Sequence, residues 1–130
     1  MSQTPTEIEI VSYGELHGDP PPLPPDVHID LRTALRNPHQ DPAMRQLTGL
    51  DAAVREHVLA TPGAQQIVRD AVTQSLAAVR ADRAVRVHTL CMGGRHRSVA
   101  IAEAIGECLR AAGAAVRVPH RHLDRPVVQR

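Results

Sequence analysis

Aromatic residues are almost missing from this chain. Among its 130 residues there is no tryptophan and no phenylalanine, and Tyr13 is the single tyrosine. Proteins that recognise single-stranded RNA by its bases usually stack those bases on aromatic side chains. The composition therefore argues against base recognition of that kind, and it requires a core built from Ala, Val, Leu and Ile.

Lysine is missing as well, so each of the 15 basic residues other than histidine is an arginine. Residues 80–130 carry ten arginines and four acidic residues, whereas residues 1–79 carry five arginines and ten acidic residues. A genome rich in G and C would explain much of the preference for arginine, but not this asymmetry. Because the planar guanidinium group makes forked contacts with phosphate, the basic half of the chain favours an anionic partner.

Long apolar runs and a secretion signal are also missing. No run approaches the roughly 18 apolar residues that a membrane span needs, and the N-terminal residues lack the basic start and apolar stretch of a signal peptide. We therefore expect a soluble, cytoplasmic protein without a membrane partner. Cys91 and Cys108 are expected to stay unpaired, because a helix would separate them by about 15 Å. Cys108 is expected to be a small buried residue.

Strand and helix patterns alternate along the rest of the chain. Strands are predicted at residues 6–14, 27–31, 84–90 and 115–119, and helices at 48–61, 62–81 and 98–112. The proline-rich segment 19–26 is typical of a stiff polyproline connector. The alternation predicts an α/β fold in one three-layer domain over residues 1–130, with a core at 5–126 and a short tail at 127–130. Helices are expected to flank a mainly parallel sheet of about four strands.

The segment CMGGRHRS, residues 91–98, follows the third predicted strand and opens the third predicted helix. Ligands of open α/β sheets bind at the carboxyl ends of strands, and the first N–H groups of a helix attract anions. The two glycines let an anion approach the backbone, so the segment predicts a phosphate-binding loop rather than a plain glycine turn. Its candidate ligand-binding residues are Met92, Gly93, Gly94, Arg95, His96, Arg97 and Ser98.

Two enzymatic interpretations of this loop compete with simple binding. The chain has no GxxxxGK[ST] motif, which argues against nucleotide hydrolysis of the Walker type. The C-x5-R-S spacing, in contrast, resembles the signature loop of cysteine-dependent phosphatases. In that alternative Cys91 is the nucleophile, activated by the helix start and a neighbouring arginine. Arg97 holds the phosphoryl oxygens, and Asp124 protonates the leaving group.

A wider resemblance covers nearly the whole chain, from about residue 7 to residue 125. Five blocks carry it in order: EIEIVSYG, LPPDVHIDLR, NPHQDPAMRQLTGLDAAV, CMGGRHRSVAIAE and PHRHLDR. Together they resemble the C-terminal domain of the RapZ family, the RNase adapter proteins. The NPH-x-DP block and the GG-x-HRS loop are specific in combination, and this resemblance accounts for residues outside the loop that the phosphatase alternative leaves unexplained.

The resemblance implies a bacterial regulatory adapter that is not an enzyme, with a structural role for Cys91. It implies binding of a sugar phosphate, glucosamine 6-phosphate, and of structured small RNA, together with self-association and an RNase or another regulatory protein as partner. The family's pocket residues correspond here to Asp30, His39, Gly93, Gly94, His96 and Arg97. Full-length members also carry an N-terminal nucleotide-binding domain with a Walker loop. We expect this chain to be a stand-alone C-terminal domain that binds no ATP, GTP, metal ion or other cofactor.

Three departures from the family pattern concern the ligand. Met92 stands where the family usually has threonine, and Gln40 stands where it has tryptophan. The spacing between Asp30 and His39 is one residue longer than in the family. The missing threonine hydroxyl bears on which ligand is bound more than on whether a pocket exists.

The C-terminal segment adds a second set of candidates. His120 and Arg121 are predicted either to contact phosphate, the preferred role, or to belong to a solvated basic tail. The spacing of His120 and His122 lacks the third ligand that a metal site needs. Arginines of this segment and of the loop predict an RNA-binding surface that contacts backbone phosphates, with affinity that falls as salt rises. These residues are Arg95, Arg117, Arg121, Arg125 and Arg130.

Overall fold

The computed structural model describes residues 7–80 and 83–127. The strands are β1 (Glu7–Gly14), β2 (Val27–Asp30), β3 (Val85–Cys91) and β4 (Ala115–Arg117), and the helices are α1 (Ala52–Leu59), α2 (Ala64–Arg80) and α3 (Arg97–Ala111). All four strands are parallel, in the order β2-β3-β1-β4. The predicted α/β fold with a parallel sheet of four strands and flanking helices is therefore confirmed.

One face of the sheet carries the hydrophobic core. Ile8 and Ile10 of β1 pair in register with Val85 and Val87 of β3, and all four side chains are buried. The three helices cover this face, and the core continues into them through Val54, Val58, Val68, Ala71, Ile101, Ile105 and Leu109. These apolar residues lie on one face because residues two apart in a strand point to the same side of the sheet.

The opposite face is covered by the proline segment, which we define as residues 19–26. The Asp26 N–H donates to the carbonyl oxygen of Arg86 (2.7 Å), the Arg86 N–H donates to Asp26 Oδ2 (2.8 Å), and Arg86 Nη1 donates to the carbonyl oxygen of Pro24 (3.2 Å). The third layer that the sequence predicts is therefore formed by an extended segment instead of a helix. Proline has few conformations to lose, which suits this role.

The first predicted helix is shorter than expected, because residues 48–51 form a turn before α1 begins. The Thr48 N–H donates to Asp51 Oδ2 (2.7 Å), so the side chain of Asp51 closes the turn and the helix starts at Ala52. Aspartate often competes with helical hydrogen bonds in this way. The expected helix over 48–61 is reduced to Ala52–Leu59.

The two cysteines differ in their surroundings. Both are free thiols, as predicted, and Cys91 is buried. The expectation that Cys108 is buried is wrong, since its side chain is exposed. The buried stripe of α3 passes through Ile101, Ile105 and Leu109, each four residues after the last, and this stripe leaves Cys108 beyond its edge. In the part of the chain that the structure describes, no helix has the length and apolar character to cross a membrane.

Candidate functional site

Two glycines join the loops that follow β1 and β3. Gly94 has a positive φ of 71°, and a Cβ placed there would lie 2.5 Å from the backbone nitrogen of Gly14. A Cβ on Gly14 would lie 2.4 Å from the carbonyl carbon of Gly93. The Leu16 N–H donates to the carbonyl oxygen of Met92 (2.9 Å). The phosphate-binding loop predicted at residues 91–98 therefore lies directly against the end of β1, with no room for a side chain between them.

A third glycine fixes the start of α3. A Cβ on Gly49 would lie 2.5 Å from the backbone nitrogen of Ala100 and 2.6 Å from the carbonyl oxygen of His96. The Gly49 N–H donates to the carbonyl oxygen of Arg95 (2.9 Å). Sequence reasoning did not single out Gly14 or Gly49. The available signal was their position inside the SYG and LTGLD blocks, where a glycine indicates close backbone approach.

Cys91 lies inside the curve of the loop and is 3% exposed. Its sulfur accepts a hydrogen bond from the Gly94 N–H (3.2 Å), and its S–H group donates to Ser98 Oγ (3.1 Å). The carbonyl oxygen of Ser98 accepts in turn from Thr89 Oγ1 (2.8 Å). The thiol and the Ser98 hydroxyl thus hold the two ends of the loop together.

Arg97 is 3% exposed and reaches from the start of α3 to the segment after β2. Its Nη1 donates to the carbonyl oxygens of Leu31 (2.7 Å), Ala34 (3.1 Å) and Arg32 (3.3 Å). These carbonyls lie outside the strands and helices, and the buried guanidinium group gives each of them a donor. The carbonyl oxygen of Leu31 also accepts from the Ala34 N–H (3.3 Å). Arg97 therefore positions the chain that carries Asp30.

Arg95 makes a comparable set of bonds on the other side of the loop. Its guanidinium group donates to the carbonyl oxygens of four residues: Gln46, Leu47, Leu123 and Arg125. It forms no ion pair with any carboxylate of residues 7–80 and 83–127. The loop thus gains a fixed positive charge that no acidic side chain of the described residues balances.

His96 is buried between the loop and the segment before Gly49. Its Nε2 lies 3.1 Å from the carbonyl oxygen of Arg45, and Arg45 Nε donates to the carbonyl oxygen of His39 (2.8 Å). The pKa of His96 is lowered to about 4, chiefly by burial, which outweighs the raising effect of the hydrogen bond with the carbonyl oxygen of Arg45. His96 is therefore neutral at pH 7, and the structure brings it close to His39, as the predicted pocket requires.

Asp30 ends β2 at the same edge of the sheet. Its carboxylate accepts from Arg32 Nε (2.9 Å to Oδ1) and Nη2 (2.6 Å to Oδ2), and Arg32 also donates to Glu15 Oε2. The hydrogen bonds from Arg32 hold the pKa of Asp30 at about 2. Asp30 thus orients Arg32, and the pocket role that the family resemblance implies for Asp30 stays a prediction.

The C-terminal candidates are paired with acidic or polar groups. His120 lies between Ser12 Oγ and Glu103 Oε1, at 2.7 Å from each. Arg121 Nη2 donates to Asp19 Oδ1 (2.7 Å). Phosphate contact by His120 and Arg121 is not tested by this geometry and stays a prediction. Asp124, the acid of the phosphatase alternative, is exposed.

Three of the arginines predicted to bind RNA are neighbours. Arg95 Nη1 lies 3.4 Å from the carbonyl oxygen of Arg125, and Arg125 shares Asp19 with Arg121. Arg117 is on β4, where it pairs with Glu9, and RNA binding by these residues stays a prediction. Arg130 lies outside the described residues.

His122 is a site residue that sequence reasoning named only as a rejected metal ligand. It is fully buried, its Nδ1 accepts from the Gly14 N–H (2.8 Å), and its ring stacks on His17 at 4.5 Å between centroids. Burial lowers its pKa. His122 therefore anchors the C-terminal segment to the end of β1, next to the loop.

Comparison with known proteins adds an independent finding. A family profile described as the RapZ C-terminal domain matches residues 6–124. A bacterial relative named nucleotide-binding protein, from Frankia casuarinae, is 45% identical over 121 residues, which cover 89% of this chain and 41% of the relative. A protein of the same name from Rubrobacter xylanophilus is 43% identical over 125 residues, covering 90% and 40%. The chain thus spans about 40% of the length of these curated relatives.

Proposed function

Because the chain belongs to the RapZ C-terminal domain family, we propose that it binds a phosphorylated small molecule and acts as a regulatory adapter. The favoured ligand is a sugar phosphate of the glucosamine 6-phosphate type, with its phosphate at residues 91–98. The relatives are named nucleotide-binding proteins, and a nucleotide phosphate would suit the same loop, so nucleotides belong in any ligand screen.

One observation supports the proposal above the others: the unbalanced charge of Arg95 at the start of α3. Four backbone carbonyls fix the guanidinium group, and α3 begins two residues later with Arg97. The first N–H groups of a helix have no partner within the helix and carry partial positive charge. A fixed cation beside such a helix start favours a phosphate group over water.

The residues around the loop have separate parts in this proposal. The backbone N–H groups after Gly94 bind the phosphate, and Arg97 adds positive charge while it holds the segment after β2. Asp30 and His39 flank the loop and would accept or donate hydrogen bonds to the hydroxyl and amino groups of a sugar. His96 is neutral at pH 7, so it supports the loop without adding charge.

The adapter part of the proposal concerns structured RNA, an RNase or another regulatory protein, and a second copy of the chain. Arg95, Arg121 and Arg125 are neighbours and form the centre of the proposed RNA surface. Binding to such a surface would depend on backbone phosphates and fall with salt. Anisotropy titration of a structured small RNA at two salt concentrations tests this. Arg125→Gln is expected to weaken binding, whereas Arg69→Gln on α2 is the control. RNA binding that is absent or independent of salt would refute this part.

A cysteine-dependent phosphatase is the second candidate function. The hydrogen bond from the Gly94 N–H to Cys91 Sγ supports it. Cys91 Sγ accepts the Gly94 N–H and would be positioned to attack phosphorus while Asp124 protonates the departing oxygen. Two observations favour binding without turnover: Cys91 is 3% exposed, and Arg97 Nη1 is bound to backbone carbonyls. Release of p-nitrophenol from p-nitrophenyl phosphate that disappears in Cys91→Ser would establish the phosphatase instead.

Calorimetric titration with glucosamine 6-phosphate, inorganic phosphate and nucleotides tests the main proposal. Loss of a hydrogen-bonded charge costs about 1.5–3 kcal/mol of binding free energy, and we expect a loss of this size in Arg95→Gln. Arg95→Lys keeps the charge and is expected to retain part of the affinity. The matched control is Arg110→Gln, which also removes an arginine bound to a backbone carbonyl, at the opposite end of α3. Equal affinity in all four proteins, or no binding of any phosphorylated compound, would refute the proposal.

A further inference from the structure

A cavity lies on the helix-free face of the sheet, away from the loop. It has a volume of about 250 Å³ and is bounded by the outer side of β1 and β3 below and by the proline segment above. Val11, Pro22, Leu23 and Pro119 give it apolar walls, while Arg86 and His88 lie on its floor. Small-molecule sites commonly combine apolar walls with a few polar groups in this way.

Two nitrogen atoms of the floor have no hydrogen-bond partner among the described residues. They are His88 Nε2 and Arg86 Nε, and both atoms are buried. His88 as a whole is 2% exposed. Arg86 Nε lies 3.7 Å from Glu9 Oε1, which is beyond hydrogen-bond distance. Buried polar atoms are nearly always paired in folded proteins, so two orphaned nitrogens in one cavity wall point to a missing partner.

The chemistry of that partner follows from the two atoms. Arginine Nε is only a donor, and a neutral histidine donates from Nε2 in the tautomer that carries its proton there. A ligand that bonds to both atoms with His88 in this tautomer presents acceptors. A carboxylate is the acceptor that arginine binds best. A phosphate group carries up to two negative charges, and Glu9 beside Arg86 opposes the second one. The apolar walls require an apolar body behind the head group.

We propose that this cavity is a second ligand site, which binds a small monocarboxylic acid with a compact apolar body. The carboxylate accepts from Arg86 Nε and His88 Nε2, and the body packs against Val11, Leu23 and Pro119. His120 and Arg121 also line this cavity, whereas none of the loop residues 91–98 does, so the site is separate from the phosphate site at the loop.

Histidine NMR on the full chain tests the proposal, with benzoate and 3-methylbutanoate as probes and inorganic phosphate as the charge control. Either carboxylate is expected to shift the imidazole nitrogen signals of His88 in a saturable manner, and phosphate is not. His88→Phe removes one donor at similar size, and we expect its affinity for benzoate, measured by calorimetric titration because the His88 signal is gone, to fall at least about tenfold, which corresponds to about 1.4 kcal/mol. The matched control is His28→Phe, an exposed residue beside His88 in the register that does not line the cavity.

A second variant keeps the test decisive if His88→Phe fails to fold. Leu23 is 54% exposed at the cavity, so Leu23→Asp is expected to fold and to repel a carboxylate. The proposal predicts weaker binding in Leu23→Asp and unchanged binding in Arg95→Gln. The proposal is overturned if neither carboxylate shifts the His88 signals, or if phosphate shifts them equally. It is also overturned if Leu23→Asp binds the carboxylates as tightly as the wild type and the His28→Phe control do.

Discussion

Arginines at the loop and arginines on the helix-free face use their hydrogen bonds differently. At the loop, Arg95 and Arg97 donate to backbone carbonyls. On the other side, Arg86 and Arg121 also donate to backbone carbonyls, but each has a carboxylate beside it as well, Glu9 for Arg86 and Asp19 for Arg121. A carbonyl fixes a guanidinium group without cancelling its charge, whereas a neighbouring carboxylate offsets that charge. The positive charge is therefore unbalanced at the loop and offset in part on the helix-free face, where Arg86 Nε keeps no hydrogen-bond partner among the described residues.

Removing Arg97 is expected to have the largest effect on stability. Arg97→Ala leaves the carbonyl oxygens of Leu31, Arg32 and Ala34 without this donor, and an unsatisfied buried acceptor costs about 1–3 kcal/mol. We expect the free energy of unfolding to fall by about 3 kcal/mol, measured by urea denaturation. Arg97→Lys should recover only part of the loss, because the lysine side chain is shorter and its ammonium group reaches less far than Nη1 toward these carbonyls. A loss below that of an average surface substitution would show that these carbonyls need no buried donor.

Acid should destabilise the domain through His96, by a similar amount. The folded pKa of about 4 lies below the unfolded value of about 6.5, so the unfolded state binds the proton first. The stability that neutral His96 contributes is complete above about pH 6.5 and is lost as pH falls toward 4, by about 3 kcal/mol. Denaturation curves across this range check the slope, and His96→Asn should flatten it. Asp30, with a folded pKa of about 2, loses its contribution only at lower pH.

The next largest effect on stability is expected at the contact between Gly94 and Gly14, which joins the loops after β3 and β1. Gly94→Ala introduces both a strained positive φ and a Cβ 2.5 Å from Gly14 N, whereas Gly18→Ala has a positive φ of 61° and open space around its Cβ. A strained backbone conformation costs about 1–3 kcal/mol, so Gly18→Ala should lose about 1 kcal/mol and Gly94→Ala clearly more. Thermal unfolding of the pair measures the difference. Equal losses of stability in the two variants would mean that the loops move apart at little cost. Gly94 would then be required only for its positive φ.

The smallest effect on stability is expected for Arg121→Ala on the helix-free face. Arg121 pairs with Asp19, and the two side chains are 31% and 41% exposed. Exposed ion pairs contribute about 0–1 kcal/mol, so the free energy of unfolding should change by less than about 1 kcal/mol, less than for Arg97→Ala. A larger loss would place Arg121 with the structural arginines of the loop and remove the contrast between the two regions.

The sequence predicts the sheet, its parallel strands and the position of the loop well, because strand alternation and glycine placement are local signals. It predicts poorly what the loop side chains contact. Arg95 and Arg97 are adjacent to a helix start in sequence, but their partners are carbonyls of residues 31–34, 46–47 and 123–125. Such contacts depend on how distant segments meet. The prediction that Cys108 is buried is wrong for a related reason. Periodicity locates the boundary between the buried and exposed faces of a helix only to within one residue.

The edge contact between Tyr13 and His88 makes the domain its own optical probe. Their ring centroids lie 5.9 Å apart at an interplanar angle of 78°, and the chain has no tryptophan to accept the excitation of tyrosine. Near-ultraviolet aromatic absorption and intrinsic fluorescence therefore come from a single side chain on the helix-free face. A change in emission will report events beside His88 without labelling, while the loop after β3 contributes no signal of its own.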